Sequence, residues 1–181
     1  LNATMIAAAL SEIGDSFGVG IRDVSWIVVG YLIAMAVVQP IGGKLGDLLG
    51  RRGLFLGALV GFTLASIGAA LAPNLTTLLV MRVGQAITAA MAIPNGAALI
   101  REWVPENRRT AAYGIVGASA GLAVGVGPPI GGTIIALGGW RAMFWLNIPI
   151  TAIALLLAWR SFPRISLGSG AVGGFDLRGA A

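Results

Sequence analysis

Apolar residues along this chain come in long runs, free of charge except for Arg82 in one of them, separated by short clusters of charged and small residues. Five runs approach or exceed the roughly 20 residues that a helix needs to cross a ~30 Å hydrocarbon layer. They are Val24 to Gly43, Leu54 to Ala72, Thr77 to Ile100, Ala111 to Leu137 and Ala142 to Trp159. Leu1 to Ser11 is apolar but shorter, and reads as part of a first helix whose start is truncated. Pro73-Asn74 separates two runs that no charge divides, because Pro cannot continue a helix and Asn favours a turn. The pattern predicts an all-α integral membrane protein, a bundle of six transmembrane helices over residues 1–162. Residues 163–181 are expected to be a cytoplasmic linker leading to a further helix, with a flexible Gly/Ser-rich stretch from Leu167 to Gly174.

Composition agrees with a bilayer and narrows the chemistry. Of 181 residues 57% are hydrophobic and only 10% charged, whereas soluble domains carry about 25% charged residues. There is no Cys and no His, which removes disulfides, thiol nucleophiles, catalytic triads and imidazole switches. No nucleophile, base and metal-ligand set can be assembled, so an enzyme, a metal site and a cofactor are not expected.

Charge placement predicts orientation. Lys44, Arg51, Arg52, Arg101, Arg108, Arg109, Arg160, Arg164 and Arg178 fall in one set of loops, and only Arg22 and Arg141 in the other. Nine against two places both ends in the cytoplasm by the positive-inside rule. The sequence pI of about 11.1 does not indicate nucleic acid, since the cations are divided among short loops and form no single stripe. Trp26 and Trp140 are expected at outer helix ends, with Trp103, Tyr113 and Trp159 at inner ones.

The chain also matches itself. Pro40-Ile41-Gly42-Gly43, Gly50 and Arg52 align with Pro129-Ile130-Gly131-Gly132, Gly139 and Arg141 at an offset of 89 residues. The two copies lie three helices apart on oppositely directed helices, the pattern of two inverted three-helix repeats.

Several polar and small residues are candidates for function. In Gly43-Lys44-Leu45-Gly46-Asp47-Leu48-Leu49-Gly50-Arg51-Arg52, read as a loop, Asp47 precedes Arg51 by four positions, the spacing of an ion pair on a helical turn. Arg82 is the one ionisable residue well inside a run, and a cation near the centre costs at least ~2.5 kcal/mol. It must face a polar cavity or a partner, or snorkel to headgroups about 8 Å away. Gln85, three residues on, shares its face. Glu12, Asp15 and Asp23 cluster at an outer loop, leaving the spans without a carboxylate. Gly121 and Gly125 form a GxxxG spacing for close helix approach, followed by Gly127, Pro128, Pro129, Gly131 and Gly132. The double Pro is expected to bend that helix.

These segments resemble the major facilitator superfamily of transporters. Gly43 to Arg52 looks like its GxLxDxxGRR loop, and the resemblance gives Gly43, Asp47, Gly50, Arg51 and Arg52 a cytoplasmic gating role. Many members carry Arg where Leu48 stands. Arg82-Val83-Gly84-Gln85 resembles the fourth-helix RxxQG motif associated with proton transfer, with Ala86 in place of Gly. Leu1-Asn2-Ala3-Thr4 resembles the first-helix motif of drug exporters, which usually has an acid where Asn2 stands. Asn2, Arg82 and Gln85 are therefore the expected proton and substrate pathway. The Gly121 to Gly132 run resembles the antiporter motif, which favours export over uptake. Gly139-Trp140-Arg141 with Phe144, Asn147 and Pro149, and Phe175-Asp176-Leu177-Arg178-Gly179, look like stretches of the fourteen-helix drug:proton antiporters.

The resemblance implies half of a major facilitator fold in the plasma membrane. It also implies proton-coupled efflux of small amphipathic or cationic compounds by alternating access. The implied partners are a small-molecule substrate, protons, the lipid bilayer and a C-terminal half of the same transporter. A facilitator or symporter for nutrient uptake, and a transporter-like sensor without turnover, are the alternatives.

Overall fold

A computed structural model describes residues 2–162, and the predicted linker at 163–181 lies outside the described residues. The order is α1 (Asn2–Phe17), α2 (Ile21–Leu49), α3 (Arg51–Ala70), α4 (Leu75–Trp103) and α5 (Glu106–Ser161), with no strand among the described residues. The four helices from α2 onward are long and apolar enough to cross a membrane.

Glycines and one Asn set the helix ends. Gly18 has φ +64°, and Val19 N–H donates to the Gly14 carbonyl at 3.0 Å while Gly18 N–H donates to Asp15. This paired bonding around a left-handed glycine is a Schellman stop. It extends α1 to Phe17, past the expected limit at Ser11, and so puts Glu12 and Asp15 on a helix and not in a loop. Between α2 and α3 the expected loop shrinks to Gly50 alone, at φ +92°. Leu45, Leu48 and Leu49 favour continuing the helix, so the segment Gly43 to Leu49, expected as a loop, lies on α2. Asn74 caps α4 by accepting the Thr77 N–H at 2.8 Å.

A continuous α5 of 56 residues would be about 84 Å long, but Gly139 breaks it with φ 70° and ψ 176°. Pro128 and Pro129 lie inside the helix; the non-helical backbone is at Gly139. Arg51 pairs with Glu102, and Arg52 donates to the Phe162 carbonyl at 2.8 Å. Both limits of α5 therefore lie at one end of the bundle, the end rich in arginine. Trp140 N–H donates to Glu12 at 3.1 Å and Arg141 to the Ala72 carbonyl at 3.1 Å, which puts Gly139 at the opposite end. The arms 106–138 and 140–161 thus run in opposite directions.

The core gathers Met5, Ile6 and Ile13 of α1, Val24 and Ile27 of α2, Leu78 of α4, and Trp140 and Phe144 of the second arm. Trp140 is 2% exposed, so it is a core residue and not the interface anchor expected. Its ring meets Phe17 at 5.4 Å and Phe144 at 6.0 Å between centroids.

The closest glycine contacts are not the ones expected. A Cβ on Gly121 or Gly125 would meet nothing within 4 Å, so that GxxxG makes no contact among the described residues. Close approaches lie instead at Gly42 and Gly46 on α2 and at Gly61 and Gly68 on α3. A Cβ on Gly42 would lie 2.8 Å from the Ala90 carbonyl, and one on Gly46 would overlap Asn95 Oδ1. Asn95 Nδ2 donates to the Gly42 carbonyl at 2.9 Å, tying α4 to α2, and to the Met91 carbonyl of its own helix at 2.7 Å. In the antiporter-like run, Gly127 and Gly131 are buried, and a Cβ on Gly131 would stand 3.1 Å from Met5 Cα.

Candidate functional site

Arg82 is 1% exposed and Gln85 fully buried, so Arg82 does not snorkel to headgroups. A guanidinium in such surroundings needs its charge spread over several acceptors. Its Nη1 donates to Gln85 Oε1 at 2.7 Å, and Nε to the Ile27 carbonyl at 3.4 Å. Its centre sits 4.2 Å from the Tyr31 ring, close enough for a cation–π attraction of about 0.5–2 kcal/mol. Gln85 Nε2 donates onward to Ser66 Oγ at 2.7 Å, and Ser66 Oγ to the Phe62 carbonyl at 2.8 Å. The result is a one-way donor chain, Arg82 to Gln85 to Ser66 to Phe62, linking α4 to α3, with Tyr31 closing it from α2.

Tyr31 and Ser66 were not among the sequence candidates. Each was visible as a polar atom inside an apolar run, where a partner is required. Nothing in the spacing alone matched them to Arg82. Asn2 lies in α1, and beyond that place it falls outside what the structure describes.

A second polar group occupies the arginine-rich end. Arg51 Nη2 lies 2.7 Å from Asp47 Oδ1, and Arg51 Nη1 pairs with Glu102 of α4. One guanidinium therefore ties the end of α2, the start of α3 and the end of α4. Arg52 adds the end of α5, donating to Phe162 and lying 5.6 Å from the Trp159 ring. Sequence spacing gave Asp47 to Arg51; Glu102 is 51 positions away and only folding brings it in. Of the other candidates here, a Cβ on Gly43 would make ordinary contact with Pro94 at 3.7 Å, and Gly50 supplies the positive φ of the junction. A Cβ on Gly121, Gly125 or Gly132 would meet nothing within 4 Å, and Pro128 and Pro129 lie beside Gly127 on the same arm.

A polar contact also crosses between α3 and the second arm, Thr63 Oγ1 to Thr151 Oγ1 at 2.7 Å. Among the described residues no group of His, Cys, Asp and Glu could hold a metal ion.

Apolar helices, a buried arginine relay and a charged junction at one end are features of a membrane transporter. The family model for the Major Facilitator Superfamily matches residues 1–177, and the chain belongs to that superfamily. Over 164 residues it is 44% identical to the uncharacterized MFS-type transporter YvkA of Bacillus subtilis, covering 91% of this chain and 37% of that protein. It is 35% identical to the tetracenomycin C resistance and export protein of Streptomyces glaucescens, covering 86% of this chain and 29% of the relative. It is 33% identical to the multidrug transporter protein MdtP of Bacillus subtilis, again covering 86% and 29%. The chain thus spans about a third of the length of these curated relatives.

Proposed function

We propose that this chain forms the first bundle of a proton-coupled exporter of small amphipathic or cationic compounds. The observation that carries the reading is Arg82, a buried cation held by Gln85, Ser66 and Tyr31 across three helices. A permanent charge kept in the core at such cost acts where charge must be sensed or moved. In this reading Arg82 biases a neighbouring carboxyl toward ionisation, and Gln85 and Ser66 hold it in place. Asn2 cannot exchange a proton, so the acid comes from elsewhere. A relative named as a tetracenomycin C resistance and export protein supports the direction of transport, and one named as a multidrug transporter supports the class of substrate.

The membrane arrangement belongs to the same proposal. Counting the two arms of α5 separately gives six crossings, built as two inverted three-helix repeats in the plasma membrane. The arginine-rich end is then cytoplasmic and the Gly139 end outside. Arg51 with Asp47 and Glu102 acts as the cytoplasmic gate. The open Gly121 and Gly125 surface meets a second bundle, against which this one rocks. Gly50 and Gly139, 89 residues apart, both have positive φ, which supports the repeat.

The test is dye efflux from cells making the full-length transporter, with the proton gradient intact and then collapsed by an uncoupler. Efflux that stops on uncoupling, and that R82Q abolishes, is the expected result. Downhill uptake indifferent to the gradient would replace the reading with a facilitator, and saturable binding without flux would replace it with a sensor.

A further inference from the structure

Helices α2 and α4 share a feature that neither the Arg82 relay nor the charged junction uses. Each is 29 residues long and carries one internal proline, Pro40 or Pro94, nine residues before its end. The close approaches of Gly42 to Ala90, Gly43 to Pro94 and Gly46 to Asn95 advance the same way along both helices. The two helices are therefore parallel, with their prolines near one level. A proline gives no N–H to the carbonyl four residues back, so Ala36 and Ala90 each lose that helical bond. Beside the Ala90 carbonyl stands Gly42, whose Cβ would lie 2.8 Å from it and 3.0 Å from Met91 Cα. The two helices thus meet backbone to backbone where both have lost a hydrogen bond, which is where a helix bends most readily.

The prolines also divide the way the helices are held. Before them, α2 and α4 supply Val24, Ile27 and Leu78 to the apolar core. Arg82 and Gln85 there tie α4 to α2 and α3. Beyond the prolines, over 41–49 and 95–103, Leu99 is the one large apolar side chain that is buried. These tips are joined to each other instead, by Asn95 Nδ2 on the Gly42 carbonyl at 2.9 Å and by Gly46 set against Asn95. They are held to the rest of the bundle by Arg51 of α3 on Asp47 and Glu102. Tyr113 Oη of α5 adds a hydrogen bond to the Ala97 carbonyl at 2.9 Å, and the Phe55 ring of α3 rests against Gly96. A segment held by a few exposed polar contacts and little apolar burial opens at lower cost than the core.

We propose that residues 41–49 and 95–103 form one paddle, which swings as a unit about the paired prolines when its ties to α3 and α5 let go. Asn95 keeps the two tips together, and Gly50, at φ +92°, is the joint between the α2 tip and α3. The part of each helix before its proline stays in the core. A hinge of this kind confines the backbone change to a few positions. The paddle deepens the gating role given to Arg51 and rests on that reading for its function, whereas the Tyr113 tie lies outside it.

Spin-label distances test the paddle. This chain has no Cys, so pairs of cysteines can be placed in a purified full-length transporter otherwise free of them. L48C with L157C spans the α2 tip and the second arm of α5, and I33C with L157C spans the part of α2 before Pro40 and the same arm. L48C with W103C spans the two tips, and all four positions are exposed. E102Q and Y113F are each expected to raise the share of a second 48–157 distance at least about threefold, the worth of one exposed ion pair or hydrogen bond. The 33–157 and 48–103 distances should stay single. P40A combined with P94A restores both helical bonds and should return the 48–157 share to its unmodified level.

A response to either variant that is confined to 48–157 supports the paddle. A second distance at 33–157 would mean that α2 rocks whole, and one at 48–103 that the tips part. Either result overturns the paddle and leaves the gate, as does a 48–157 response that survives both alanines. If the proline variants fail to fold, the three label pairs decide alone. A response to Y113F without one to E102Q would remove the gating role and keep the paddle; silence in both variants would overturn the paddle.

Discussion

Arg52 and Arg141 hold each other's helices from opposite ends of the bundle. Arg52, at the start of α3, donates to the carbonyl of Phe162, just past the second arm of α5. Arg141, at the start of that arm, donates to the carbonyl of Ala72, just past α3. Each guanidinium also lies over an aromatic ring of the arm, Trp159 for Arg52 and Trp140 for Arg141. A helix end presents orphan carbonyls and a partial negative charge, so a cation from the neighbouring helix is suited to it. The two antiparallel helices are thereby clamped at both ends, with Thr63 and Thr151 bonded between them.

Removing either clamp should cost stability, and the two costs should add. A hydrogen bond involving a charged donor contributes about 1.5–3 kcal/mol when well shielded, and less at these partly exposed ends. R52A and R141A are each expected to lower the midpoint of thermal unfolding in detergent. The sites share no partner, so the double variant should equal the sum of the singles to within about 0.5 kcal/mol. A strongly sub-additive double variant would mean that the two ends communicate.

The α2/α4 seam predicts a rescue. A Cβ on Gly46 overlaps Asn95 Oδ1, so G46A should unfold the seam or expel the Asn95 side chain. N95A alone strips two donated bonds, to Gly42 and Met91, and should also destabilise. Combined with G46A it opens the space the new methyl needs. The double variant is therefore expected to be more stable than G46A alone, as read by unfolding in detergent.

How much of this was legible in the sequence depends on whether the signal was local. Long charge-free runs predicted the helices, because a bilayer demands unbroken apolar length. The pair Asp47 and Arg51 was readable from its four-residue spacing. Glu102 was not, because only the packing of α4 against the α2/α3 junction brings it to Arg51. Glu12 reads as a loop residue in the sequence because a charge suggests a helix limit, whereas Gly18 sets the stop. The spacing points to Gly121 and Gly125 rather than to Gly42 and Gly46, because it says that glycines can approach a neighbour and not which neighbour is there. Asn95, which does the locking, is an ordinary polar residue until α2 lies beside it.

Around Arg82, the ring and the relay can be separated by substitution. Under the proposed export role, Y31F retains the aromatic face over the guanidinium and should preserve efflux close to that of the unmodified transporter, whereas Y31L removes that face. Losing a cation–π contact of about 0.5–2 kcal/mol should lower efflux several-fold. S66A takes away the acceptor for Gln85 Nε2 and should act in the same direction. R82K should be worse than either, because an ammonium cannot reproduce the planar fork that reaches Gln85 and Ile27 while stacking on Tyr31. Equal efflux in Y31F and Y31L would show that the ring serves packing alone.

The arginine-rich end should behave in the opposite way, with little effect on stability and a clear effect on state. Asp47 and Glu102 have side chains 57% and 41% exposed, and ion pairs of that exposure contribute about 0–1 kcal/mol and weaken with salt. D47N and E102Q are therefore expected to leave thermal unfolding nearly unchanged. Under the proposed gating role, these pairs help hold one of two states that differ by a few kcal/mol, so a loss of even about 1 kcal/mol shifts the populations roughly fivefold. In a full-length transporter otherwise free of cysteine, labelling of L48C at the end of α2 should report that shift, since Leu48 lies beside Asp47 and is already 74% exposed in the state described. D47N and E102Q should change its labelling rate in the same direction, and raised salt should change the unmodified protein likewise. Labelling that ignores both substitutions and salt would leave Arg51 as a structural tie among three helices and no more.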